Sequence, residues 1–309
     1  MGDDMNLYPE ASVPEGPVRE DGLRLAANAA VGPEVTKLGP VNEHAYSVRH
    51  FALMTSLLWA YNSSPVDSAT GIIARYFLEH FTELKSLNIY DVARECYTSR
   101  SGIRRFAQQI GYDNFKDIKA NAWESRRHYN NFVGYADHPD YRSYLTDQLQ
   151  GMLDDMNHNV DEGRLDALAT RIHGAERVAF LASDFSSMGI RQLQQQMLAV
   201  GKFVSIISDS AGDLQVLYDM VKDDLVVVTS STGNYAIAAM NQLSSVAAYR
   251  VLVTLNHDAS LAAKYDETFY LTGKDLGFDH NVYSEYGVKY FYDLLYNRYV
   301  TLFLGGPKA

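Results

Sequence analysis

Two rhythms divide the chain. Between residues 68 and 127, apolar residues recur at helical spacing. Ile72, Ile73, Tyr76, Phe77 and His80 follow i, i+4 steps, and Ile89, Val92 and Ala93 mark a second short helix. Ile103, Phe106, Ala107 and Ile110 share one face of a third, which Ser99 starts as an N-cap and Gly111 ends as a C-cap glycine. NFKDIKANAW continues the bundle, and AYSVRHFALMTSLLWAYN (45–62) precedes it as a partly apolar helix. Beyond residue 177, short apolar runs alternate with helical patterns. RVAFLAS, KFVSIIS, DLVVVTS, RVLVTL and ETFYLT read as strands; MGIRQLQQQMLAVG, DLQVLYDM, YAIAAMNQLSSVAA and ASLAAKY read as the helices between them. That alternation predicts a parallel sheet wound by right-handed crossovers. The expected fold class is α/β, an all-α helical domain followed by a doubly wound parallel-sheet domain.

The boundaries follow. Residues 1–44, with scattered glycines and five of the eight prolines within the first 40, read as a weakly structured extension. Residues 45–127 form the helical domain, 128–160 a helical linker and 161–309 the sheet domain with a C-terminal helix. That last helix carries six tyrosines and two phenylalanines between 283 and 304, which suits a core or a subunit interface.

Composition narrows the classes. The chain is 47% hydrophobic and 21% charged, as soluble globular proteins are, and 309 residues suit about two domains. No apolar run is long enough to span a bilayer, and the acidic start lacks the order of a signal peptide. A cytoplasmic protein without a membrane partner is expected. The single cysteine, Cys96, excludes an internal disulfide and a cysteine-based zinc site, and the nine histidines show no HxxxH or HxH spacing. No metal and no cofactor is called for. The net charge of −11 is unfavourable for nucleic acid, but it is uneven. Residues 67–127 hold ten Lys/Arg against eight Asp/Glu, so the acidity lies elsewhere.

Within that segment, IYDVARECYTSRSGIRRFAQQIGY has the order of a helix-turn-helix, with the turn near Tyr97 and Thr98. In such a motif the N-terminal side chains of the second helix reach base edges in the major groove. With the apolar face inward, Arg100, Ser101, Arg104, Arg105 and Gln108 face out; arginine can pair with guanine and glutamine with adenine. The same residues could instead grip phosphates, or form only a solvated basic face. Downstream, VVVTSSTGNYA turns a buried strand into a helix through Ser230, Ser231, Thr232, Gly233 and Asn234. A helix N-terminus, a glycine and small hydroxyls together can hold an anion. Equally, serines and threonines there can merely cap the helix.

The segment 69–119 resembles the N-terminal domain of RpiR-type transcriptional regulators. The resemblance is carried by Ile73, Ala74, Tyr76, Leu78 and His80; by Ile89, Val92 and Ala93; by Ser99, Ile103, Arg105, Phe106 and Gly111; and by Phe115, Lys116 and Lys119. Two positions depart: Gly102 stands where the family usually has threonine, and Thr98 where it usually has valine. The second half resembles that family's SIS (sugar isomerase) domain, most clearly in VTLNHDASLAAKYDETFYL, with Thr254, Ser260, Leu261, Ala262 and Asp266. The resemblance implies DNA contacts at Ser99, Arg100, Ser101, Arg104, Arg105, Gln108 and Lys116. It implies ligand contacts at Ser183, Ser186 and Ser187 after the first strand and at Ser230, Ser231, Thr232, Gly233 and Asn234 after the third. The expected partners are a double-stranded DNA operator and a small-molecule effector, a phosphosugar or related metabolite, on a homodimer or homotetramer. Asp184 and Tyr235 depart from the family's loops. A sugar isomerase would need a general base, for which Glu267, Asp279, His280 and Glu285 are candidates without a defining spacing. A regulator, not an enzyme, is the expectation. A phosphosugar isomerase, or a DNA-binding protein whose sheet domain serves only assembly, are the alternatives.

Overall fold

In the computed structural model of the chain, residues 53–122, 133, 136–208, 214–274, 276 and 282–305 are described, at Asp184 and Phe185 by backbone alone. The extension, residues 45–52 of the first helix, Asp279 and His280 lie outside the described residues.

Five helices make the first core. They are α1 (Leu53–Ser63), α2 (Ala69–Glu79), α3 (Ile89–Glu95), α4 (Arg100–Gln109) and α5 (Phe115–Ala120), with a short 3-10 turn at Phe81–Glu83. Phe77 packs on Phe106 and Phe115 at ring-centroid separations of 5.8 and 6.0 Å, and Ile73, Val92, Ile103 and Ile118 close around them. Ser99 caps α4 by accepting from Gly102 N–H at 3.1 Å, and Gly111, with φ 95, lets the chain leave it. Cys96 is buried in this core. Burial, and after it the nearby Glu95 carboxylate, push its thiol up to about 11, so it is held as an inert apolar residue.

The second half is a five-stranded, all-parallel sheet in the order β2–β1–β3–β4–β5. The strands are β1 (Val178–Ala182), β2 (Ser205–Ile207), β3 (Leu225–Ser230), β4 (Tyr249–Thr254) and β5 (Glu267–Tyr270). Between them run α8 (Asp184–Ala199), α9 (Gln215–Tyr218), α10 (Asn234–Leu243) and α11 (Ala259–Ala262). Before the sheet come α6 (Tyr141–Asn159) and α7 (Glu162–Gly174); a π-helical turn, Tyr283–Gly287, leads into α12 (Val288–Phe303) after it. Period-two side chains give each sheet face its own core. Val178, Phe180, Val227, Val251 and Val253 meet α6, α7, α8 and α12 on one face. Ala179, Leu181, Val226, Val228 and Leu252 meet α9, α10 and α11 on the other. A doubly wound α/β fold is therefore present. Met152 and Met156 place the second half of α6, inside the stretch read as linker, in the first of these cores.

Candidate functional site

At α4 the sequence pattern becomes a surface. Ile103, Phe106 and Ala107 are buried, while Ser99, Arg100, Ser101, Arg104, Arg105 and Gln108 are exposed, as is Lys116 on α5. Ser101, Arg104, Arg105 and Gln108 fall at i, i+3, i+4 and i+7, so they form one outward stripe. Other basic groups nearby are engaged. Arg75 pairs with Glu79 at 2.7 Å, Arg94 with Asp91 at 2.9 Å and Glu95 at 3.2 Å, and Lys119 donates to Leu87 O at 2.7 Å. Arg100 donates to the Tyr90 hydroxyl at 3.1 Å, with its guanidinium 5.0 Å from the centre of that ring. Arg104, Arg105 and Lys116 have no ion-pair partner among the described residues. The Ser99 hydroxyl is taken up by its capping bond and by a 2.7 Å contact with the Ser101 hydroxyl.

The two departures in this motif lie against each other. A Cβ at position 102 would lie 2.2 Å from Thr98 Oγ1. In the conformation seen, the Thr98 hydroxyl occupies the space a Cβ in the helix would need, so a side chain at 102 requires that hydroxyl to turn away.

The second cluster lies at the carboxyl ends of β1 and β3, adjacent strands paired from Val178↔Leu225 to Ala182↔Thr229. Strand order reverses here, with β2 outside β1 on one side and β4 beyond β3 on the other. In open α/β sheets this switch point is where ligands bind. Both candidate loops thus leave adjacent strands at the same end of the sheet, but their hydroxyls differ in role. After β1, Ser183 caps α8 through a long contact, 3.5 Å, from Ser186 N–H, and Ser186 and Ser187 are buried. After β3, α10 begins without a side-chain cap, from Gly233 at φ 84. Ser230 and Ser231, 3% and 8% exposed, have hydroxyl oxygens buried without a hydrogen-bond partner among the described residues. Thr232 and Asn234 are half-buried beside them, and the only contact between them is long, Asn234 N–H to Thr232 Oγ1 at 3.5 Å. Capping accounts for Ser183; it does not account for Ser230 or Ser231.

Tyr235 is withdrawn from the loop. It is buried in the core under α10, its hydroxyl 3.4 Å from Ile207 O. The Asp184 side chain lies outside the described residues. Sequence reasoning passed over Asn256. Its side chain donates to Thr232 O at 2.9 Å and accepts from Asp258 N–H at 2.7 Å, and it fills the space a Cβ on Gly233 would need. The residues of the VTLNHD run build the frame around this loop. Thr254 Oγ1 donates to Ser230 O at 2.6 Å and Leu261 packs on Gly233, while Asp266 accepts from Arg250 N–H at 2.7 Å at the other, amino end of β4. Among the candidate bases, Glu267 is tied to Arg164 at 3.0 Å, and burial raises the carboxyl of Glu285 on the π-helical turn.

No protein-family model matches the chain. Two curated relatives are similar in sequence. One is an uncharacterized HTH-type transcriptional regulator in the aarA 3'region of Providencia stuartii, 20% identical over 168 residues. The other is the HTH-type transcriptional regulator GlvR of Bacillus subtilis, 24% identical over 166 residues. Each match spans 52% of this chain and 60% of the relative. Among solved structures, the Vibrio vulnificus NanR protein complexed with ManNAc-6P is 19% identical, with 82% of this chain and 93% of that one covered at a TM-score of 0.44. No helix among the described residues is long and apolar enough to cross a membrane. The chain is thus similar, over about half its length and 60% of theirs, to curated HTH-type transcriptional regulators, and it is built as a helical unit followed by a doubly wound sheet.

Proposed function

We propose that the chain is a transcriptional regulator. In this reading α4 meets duplex DNA through Arg104, Arg105, Ser101 and Gln108, with Arg100 and Lys116 at its margins. The crevice between the β1 and β3 loops takes a phosphorylated sugar or a related anionic metabolite, and its occupancy changes DNA affinity. The observation that carries the reading is the exposed, unpaired stripe of α4 in a chain similar to named HTH-type regulators. The uncapped start of α10 and the two unpartnered serine hydroxyls support the ligand site. A buried hydroxyl without a partner costs about 1–3 kcal/mol, which an anion's oxygens would recover. Arginine contacts to phosphates make DNA binding salt-dependent, the acidic whole weakens it, and a homo-oligomer would strengthen it by avidity.

Two readouts test this together. In a thermal-shift panel of sugar phosphates and their unphosphorylated counterparts, a ligand at a hundred times its dissociation constant adds about 2.7 kcal/mol and shifts the melt by several degrees. Only phosphorylated members should do so, and Ser230→Ala with Ser231→Ala should remove the shift. The same ligand should alter affinity for duplex DNA, and Arg104→Ala with Arg105→Ala should weaken that affinity at least tenfold. If no phosphorylated compound moves either readout, the crevice reading is lost and the sheet domain is an assembly module.

A further inference from the structure

The turn between α3 and α4 holds a residue that neither packing nor capping explains. Tyr97 stands there with φ 50, the one non-glycine residue in the left-handed region among the described residues. That region disfavours a bulky side chain and is open to glycine. The ring is 93% exposed, so no core contact holds a tyrosine in place. The backbone bonds of the turn, Tyr97 N–H to Arg94 O at 3.1 Å and Thr98 N–H to Ala93 O at 2.9 Å, would form equally well with glycine. Strain of this kind persists where the side chain has a use.

The use follows from the place. Tyr97 lies two residues before the N-cap Ser99, at the end of α4 that carries Arg100 and Ser101. A recognition helix meets the duplex with this end, and the tyrosine hydroxyl is among the donors that hold phosphate oxygens there. The acids nearby, Asp91 and Glu95, both pair with Arg94, which leaves a single net negative charge among the three. We infer that Tyr97 is a phosphate-contacting residue, its hydroxyl donating to the DNA backbone beside the start of α4, and that the strained turn is kept for this contact. It acts so only if α4 meets duplex DNA, as proposed above.

The test uses the full chain and a fluorescein-labelled random-sequence duplex titrated across a salt series. Tyr97→Gly should melt no lower than wild type. Tyr97→Gly and Tyr97→Phe should each weaken duplex binding about tenfold or more, the loss of one hydrogen bond to a charged oxygen. Both should keep the wild-type salt slope, because a neutral phenol releases no counterion; the Arg104→Ala, Arg105→Ala double variant should flatten it by about 0.9 for each phosphate no longer neutralised. Wild-type binding by Tyr97→Phe overturns the inference and leaves the DNA reading intact. Wild-type binding by the arginine double variant overturns both. A change of oligomer mass in Tyr97→Gly with unchanged DNA affinity assigns the ring to a protein interface, and the inference fails.

Discussion

Single residues separate what is structural from what is available for function. Gly102 could be read from sequence only as a helix-weakening departure, because its partner Thr98 lies in a turn whose geometry no local pattern reports. The structure puts the Thr98 hydroxyl where a Cβ at 102 would lie. Gly102→Ala alone should lower stability by about 1–3 kcal/mol through overpacking. With Thr98→Ala beside it the clash disappears, and alanine's helix propensity should return about 1 kcal/mol. A urea double-mutant cycle measures this coupling, and additive effects would refute it. The basic side chains sort likewise. Composition counts Arg75, Arg94 and Arg104 alike, yet the first two are bound by acids of their own helices, and Arg104 is not.

At the scale of elements, strong periodicity was legible and edges were not. β1 and β3 fall within the apolar runs read from the sequence and β4 starts one residue before its run, because burial on both faces forces continuous apolar character. KFVSIIS yields only Ser205–Ile207 as strand, for β2 is an edge that pairs with β1 alone. The helix read from Met188 begins at Asp184, since Ser183 caps it directly off the strand. The loop after β3 was legible as a strand-turn-helix with a glycine, but not that its serines, unlike Ser183 after β1, leave their helix uncapped. Asn256 was invisible because it reaches the loop from the neighbouring strand, 24 residues along the chain. Gly233→Ala tests this assembly. With φ 84 and Asn256 Nδ2 2.8 Å from the new Cβ, it should cost about 1–3 kcal/mol and abolish any ligand-induced thermal shift. An unchanged melt would mean the loop adapts freely and the crevice is not preformed.

Across the whole molecule, a buried polar knot joins distant segments. Asp155 on α6 accepts from Thr272 Oγ1 at 2.5 Å and from the Tyr283 hydroxyl at 2.8 Å, and Asn159 Nδ2 bonds the same carboxylate at 2.7 Å. Burial raises the Asp155 carboxyl, but the bonds from Thr272, Tyr283 and Gly273 together hold it below its ordinary value; burial, and then Asp155, push the Tyr283 phenol up to about 12. A depressed carboxyl stabilises the fold above the unfolded value of about 3.9, and that contribution is lost as pH falls through the folded value. Asp155→Asn should therefore cost about 1–3 kcal/mol near neutrality, with the deficit shrinking below about pH 4. A deficit independent of pH in urea melts would refute the charged role. Such ties cross more than a hundred residues of sequence, which is why the linker reading of 128–160 could not anticipate them. They also set an order of events during synthesis. The helical unit completes its core from residues 53–122. One face of the sheet is closed only by Phe291, Tyr292, Leu295 and Tyr299 of α12, with Arg298 clasping Asp166 at 2.6 and 2.9 Å. A ribosome therefore releases the five-helix unit long before the sheet domain can close, and on the proposed function nascent chains pass through a stage that has the DNA-facing helix but not yet the ligand crevice.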